Sequence, residues 1–101
     1  MMTLHIFNQG THQTELLNKC LESLTPGDTL LFIEDGVIWT TSSPFDRLNK
    51  RLKVTGIDIY TLSEDISARG LESLRAETVQ MVDYPGFVSL TEKHNHSISW
   101  F

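Results

Sequence analysis

Residues 30–33 read Leu-Leu-Phe-Ile, four large apolar side chains with no polar interruption. Pro26-Gly27-Asp28 precedes them and Glu34-Asp35-Gly36 follows. An amphipathic helix or a half-exposed strand would break such a run with polar residues at every third or second position. An unbroken run between turn signals suits a strand covered on both faces, and such strands belong to parallel sheets flanked by helices. Residues 29–37 are therefore expected to form the central strand, and the rest of the chain is read around it.

Leu4-His5-Ile6-Phe7 is a short strand, ended at Asn8-Gln9-Gly10. Thr11 is expected to cap a helix in which Leu16, Leu17, Cys20, Leu21 and Leu24 share one face. Pro26-Gly27 stops that helix. Beyond the central strand, residues 38–43 are less regular. Ser43-Pro44 is expected to open a second helix with Phe45, Leu48 and Leu52 as its apolar stripe. Residues 56–62 alternate as a strand, Ser63-Glu64-Asp65 opens a short helix with Ile66 and Ala68 inside, and Gly70 closes it. Residues 77–82 form a fourth strand. Asp83-Tyr84-Pro85-Gly86 starts the last helix, with Phe87, Val88, Leu90, Thr91 and His94 inward, and the alternation over 97–101 gives a last strand. The expected fold is α/β: a three-layer α/β/α arrangement around a small parallel five-stranded sheet, in a single domain spanning 1–101.

Charge narrows the function classes. Eight Lys and Arg against thirteen Asp and Glu give a net charge of -5, and the cations form no long stripe, so direct nucleic-acid binding is not expected. No apolar run reaches membrane-spanning length, and the start lacks a basic region followed by a long apolar core. A cytoplasmic location is expected. The single cysteine forbids an internal disulfide.

Few residues carry candidate chemistry. Cys20 lies on the apolar face of the first helix, which reads as a small buried hydrophobe; the competing reading is a reactive thiol, which would need exposure and a nearby positive charge. His94-x-His96 lacks flanking ligands, so no metal site is expected, and His5 is read as a strand histidine bonded to backbone. Asp35 and Gly36 end the central strand, where ligands gather in open parallel sheets; they serve equally as a turn acid and a glycine supplying a conformation that other residues resist. Asp65 and Arg69 are spaced to pair along a helix, and Asp83 and Tyr84 read as a cap and a ring at a strand end. No Gly-x-Ser-x-Gly elbow or phosphate-binding glycine loop is present. No cofactor is expected. Large aromatic residues Trp39, Phe45, Phe87, Trp100 and Phe101 are candidates for contact with partner chains.

Several of these patterns occur together in a known family. Leu4-His5, Gly27-Asp28-x-Leu30-Leu31, Asp35-Gly36-Val37, Tyr60-x-Leu62 with Asp65, Ala68-Arg69-Gly70, Asp83-Tyr84, Phe87-Val88, Leu90-Thr91 and the closing Trp100 resemble the TusB/DsrH family of sulfur-relay proteins, of the DsrE/F/H-like superfamily, along essentially the whole chain. The resemblance implies a last strand beside the first, and a place in a heterohexamer with TusC-like and TusD-like subunits. Such a complex receives persulfide sulfur from a TusA-like donor and passes it to a TusE-like acceptor, for 2-thiolation of the wobble uridine of certain transfer RNAs. The accepting cysteine is then on the TusD-like subunit, and this chain is a structural, assembly subunit rather than a catalyst. DsrH-type members, which act in sulfur oxidation, match at Cys20-Leu21, which implies the alternative of Cys20 as an active thiol. A small α/β module binding a ligand at Asp35 and loop 8–11 is the third reading.

Overall fold

A computed structural model describes residues 2–101. The central strand β2, Thr29–Phe32, is buried at all four positions because it lies between two other strands and under helices on both sides. The elements are β1 (Thr3–Phe7), α1 (Thr14–Ser23), β2, a 3-10 helix (Glu34–Thr40), α2 (Ser42–Arg51), β3 (Asp58–Leu62), α3 (Ser63–Ala68), a short 3-10 turn (Glu72–Leu74), β4 (Gln80–Val82), α4 (Tyr84–Lys93) and β5 (His96–Trp100). All strand pairs are parallel, in the order β4-β3-β2-β1-β5, so the last strand joins beside the first as expected.

The register sorts side chains by face. His5 and Phe7 of β1 align with Leu30 and Phe32 of β2, and Leu4 and Ile6 alternate with them on the other side. The first face carries the larger core, in which Phe7, Leu30 and Phe32 meet Leu17, Cys20, Leu21 and Leu24 of α1 and Phe45 and Leu48 of α2. Among the described residues the second face is served by α4 alone: Leu4, Ile6 and Leu31 pack on Leu90, with Ile33, Tyr60, Val82 and Phe87 only partly buried around them. The three layers are thus unequal, with the helical cover concentrated on one side.

A buried polar chain ties the edge strand to the centre. Asp28 accepts from the Thr3 N–H (3.0 Å), the Thr25 N–H (3.0 Å) and the His5 ring (Nε2, 3.2 Å). Trp100 of β5 donates its Nε1–H to His5 Nδ1 at 3.2 Å, with the two rings nearly coplanar at 17°. Because Nδ1 accepts, Nε2 carries the hydrogen and donates to Asp28, which fixes the tautomer. His5 is therefore held by side chains, not by backbone as its sequence context implied.

Several boundaries differ from the sequence reading. β2 ends at Phe32, and residues 34–40 coil into a 3-10 helix that buries Val37 and Trp39 in the larger core. α1 begins at Thr14 without a side-chain cap, and the Thr11 carbonyl instead accepts from the Thr14 hydroxyl. α2 begins at Ser42, one residue before the expected cap, and places Pro44 inside the first turn. Ser63 is the first residue of α3 rather than its cap. Asp83 does cap α4, accepting from the Gly86 N–H at 2.8 Å. Ala68 and Val88, read as inward, are exposed. Among the described residues no helix is long and apolar enough to cross a membrane.

Candidate functional site

The carboxyl ends of the parallel strands face one edge of the sheet, where loops can converge without breaking the ladder. After β2 the chain turns sharply at Glu34, which adopts a left-handed conformation (φ 51°) that side chains resist. Two hydrogen bonds hold it there. Its N–H donates to Asp65 Oδ2 at 2.6 Å, and its carboxylate accepts from Asn8 Nδ2 at 2.9 Å. Gly36 follows, and its glycine has a steric cause rather than the conformational one expected. A Cβ there would stand 2.4 Å from the Phe7 carbonyl oxygen and 3.2 Å from the Asn8 Cα, both backbone atoms. The 3-10 helix thus lies directly against the end of β1.

Asp35 and Arg69 then meet at 2.9 Å, and Arg69 reaches Asp65 at 3.9 Å along α3. The expected Asp65–Arg69 pair is therefore one side of a three-residue cluster joining the 3-10 helix to α3. It borders a shallow cleft of about 410 Å³ that Gly10, Thr11, His12, Ile38 and Leu71 also line. The guanidinium is balanced by two carboxylates, so it is a poor receptor for an anion as it stands. Farther along the same edge Glu64 accepts from the Tyr84 N–H at 3.1 Å, linking α3 to α4. Asp35, Gly36, Asp65, Arg69, Asp83 and Tyr84 therefore all lie along the carboxyl edge. Their observed partners are one another, the backbone and neighbouring loop residues.

Cys20 is elsewhere. It is fully buried in the larger core between α1 and the sheet. Burial pushes its thiol up to about 12, so it remains protonated at neutral pH. Among the described residues no group of three or more His, Cys, Asp and Glu side chains converges as a metal site would.

The five aromatic candidates separate. Trp39 is fully buried, donating its Nε1–H to the Gln9 carbonyl at 3.1 Å with the Arg47 guanidinium over its ring. Phe45 is buried beside it in the same core, so neither is available to a partner. Phe87 and Trp100 are partly buried, and Phe101 is 67% exposed. Sequence reading missed Val88, 57% exposed on α4 one turn beyond the half-exposed Tyr84. The i, i+4 spacing of these two residues was the available signal.

Comparison with known proteins agrees with this architecture. Residues 11–97 match the family described as DsrH like protein. Protein TusB of Photorhabdus laumondii subsp. laumondii is 40% identical over 97 residues, covering 96% of this chain and 99% of that protein. Protein TusB of Escherichia coli (strain K12 / DH10B) is 38% identical over the same length and coverage. Among solved structures, the ychN protein from E. coli superposes with a TM-score of 0.76 at 14% identity, covering 98% of this chain and 99% of that one. Protein Tm0979 from Thermotoga maritima gives 0.68 at 24% identity, covering 91% and 93%. These two likenesses concern the fold, whereas the family match and the relatives near 40% identity concern descent: the chain belongs to the DsrH family.

Proposed function

We propose that this chain is a non-catalytic subunit of a persulfide-relay complex that supports 2-thiolation of the transfer-RNA wobble uridine in the cytoplasm. Its work is to dock onto TusC-like and TusD-like homologous subunits in a heterohexamer and hold the sulfur-accepting subunit in shape. A TusA-like donor and a TusE-like acceptor complete the relay. Membership of the family and the TusB relatives support the relay. One observation carries the non-catalytic part: the chain's single cysteine is fully buried, with its thiol held protonated. A persulfide carrier needs an accessible thiolate, and nothing on the carboxyl edge replaces it.

The docking part is supported by the uneven cover of the sheet. A single ten-residue helix serves the second face, and that helix presents Tyr84 and Val88 outward. Exposed apolar side chains grouped in this way mark contact surfaces. Phe101 and Ile98, at the opposite edge, are also exposed and offer a second contact. Co-expression with two homologous small subunits, followed by native mass measurement, tests this. Stoichiometric co-purification is expected, and Val88→Glu is expected to reduce it strongly while leaving the fold intact, because a carboxylate would have to be desolvated at the contact. A monomeric chain that ignores both subunits would overturn the reading.

A further inference from the structure

The chain is acidic overall, yet its cations are concentrated. Arg47, Lys50, Arg51 and Lys53 fall within residues 47–53, which contain no acid; the remaining four cations face thirteen acids, a net charge of -9 for the rest. Three of the four line one feature, a cleft of about 510 Å³ between the carboxyl ends of α1 and α2. Lys50, Arg51 and Lys53 are exposed on its wall. The ion pairs of the described residues are His5–Asp28, Arg69–Asp35 and Arg69–Asp65, and none involves these three cations. Lys50 and Arg51 sit in the last turn of α2, where positive charge stabilises the helix end. That explanation does not extend to Lys53, which lies beyond the helix and lines the same cleft.

The other lining is equally specific. Leu21, Leu24 and Val54 make an apolar floor. Asn18 and Glu22 complete the α1 wall.

We infer that this cleft is a docking site for a short acidic segment of a partner protein, with carboxylates on Lys50, Arg51 and Lys53 and aliphatic side chains over Leu21 and Val54. A peptide supplies both kinds of group at once. A nucleic-acid backbone supplies the charge but no aliphatic side chain, and its length would bring it against the acidic remainder of the surface. Glu22, the one acid on the wall, favours a segment with few charges over a dense polyanion. None of the residues lining it belongs to the carboxyl-edge cluster, to α4 or to the Ile98 and Phe101 contact, so it is distinct from the assembly surfaces proposed above.

The test uses the full chain and a fluorescein-labelled peptide of about eight residues alternating Glu and Leu, followed by fluorescence anisotropy. Saturable binding that weakens with added salt is expected. Lys50→Gln, Arg51→Gln and Lys53→Gln together are expected to weaken it about tenfold, from three exposed pairs of modest strength. Lys19→Gln with Lys93→Gln, charge changes outside the cleft, are expected to leave it unchanged. Circular dichroism confirms that each variant is folded, and Val54→Asn offers a second arm that keeps every cation, removes apolar lining and is expected to weaken binding severalfold. Retention of full affinity in both cleft variants, tighter binding of a single-stranded oligonucleotide of equal charge, or absence of saturable peptide binding would each overturn the inference.

Discussion

Asp28→Ala is expected to lower the unfolding free energy by about 3 kcal/mol or more at neutral pH, read by urea titration. The carboxylate sits almost wholly out of water and receives the Thr3 and Thr25 N–H groups and the His5 Nε2–H. Removing it leaves these three donors and the Thr25 hydroxyl without that partner, each costing about 1–3 kcal/mol where water cannot reach it. The loss also frees His5 and so unfastens Trp100, which carries β5. The effect has a pH signature. Desolvation raises the Asp28 pKa, but the hydrogen bonds from Thr25, Thr3 and His5 outweigh it and hold the carboxyl below its ordinary value of 3.8. A depressed folded pKa contributes stability that is present above the unfolded value and disappears as pH falls through the folded one. The gap between wild type and Asp28→Ala should therefore be constant from pH 7 to about 5 and shrink in stronger acid. A gap that does not change down to pH 2 would contradict the assignment.

Trp39→Ala is expected to cost about 3–5 kcal/mol, the range for emptying a buried aromatic site. Domains of this size have roughly 5–15 kcal/mol in all, so the variant should be close to unfolding at 37 °C. Trp39 has no exposed surface, fills the larger core between the 3-10 helix and α2, and fastens loop 8–13 through the Gln9 carbonyl. Trp39→Phe keeps most of the apolar contact and loses the hydrogen bond, so it should recover more than half of the loss. Thermal unfolding of the two variants measures both. If Trp39→Ala behaved like a surface substitution, the placement of this ring in the core would be wrong.

Trp39 also shows where sequence reading stops. The alternation and turn residues that mark five strands and four helices are local, and the βαβ order follows from them. The path of residues 34–40 is not local. It depends on a left-handed turn at Glu34, held by Asp65 and Asn8, and on Gly36 lying against the Phe7 carbonyl, 29 positions earlier in the chain. Nothing in Glu34-Asp35-Gly36 announces those partners, so the stretch reads as the end of a strand and Trp39 as a free aromatic. Asp28 is similar: within Pro26-Gly27-Asp28 it looks like a turn residue, yet its bonds run to Thr3 and His5. The helix face that buries Cys20 was legible because helical periodicity is local, and so was the Asp65–Arg69 pair. That Asp35 joins this pair was not, since helix spacing says nothing of what lies across the edge.

A subunit that acts only in assembly, as proposed, takes no covalent part in the relay. Cys20→Ala measures it most directly, because alanine fits the apolar site, whereas serine would bury a hydroxyl without a partner. Wobble-uridine 2-thiolation is quantified in cells whose only copy of this chain carries the substitution, with co-purification of the partner subunits as the check on assembly. Thiolation at the wild-type level is the predicted result. An assembled complex that no longer thiolates would place the sulfur on Cys20 and contradict the account.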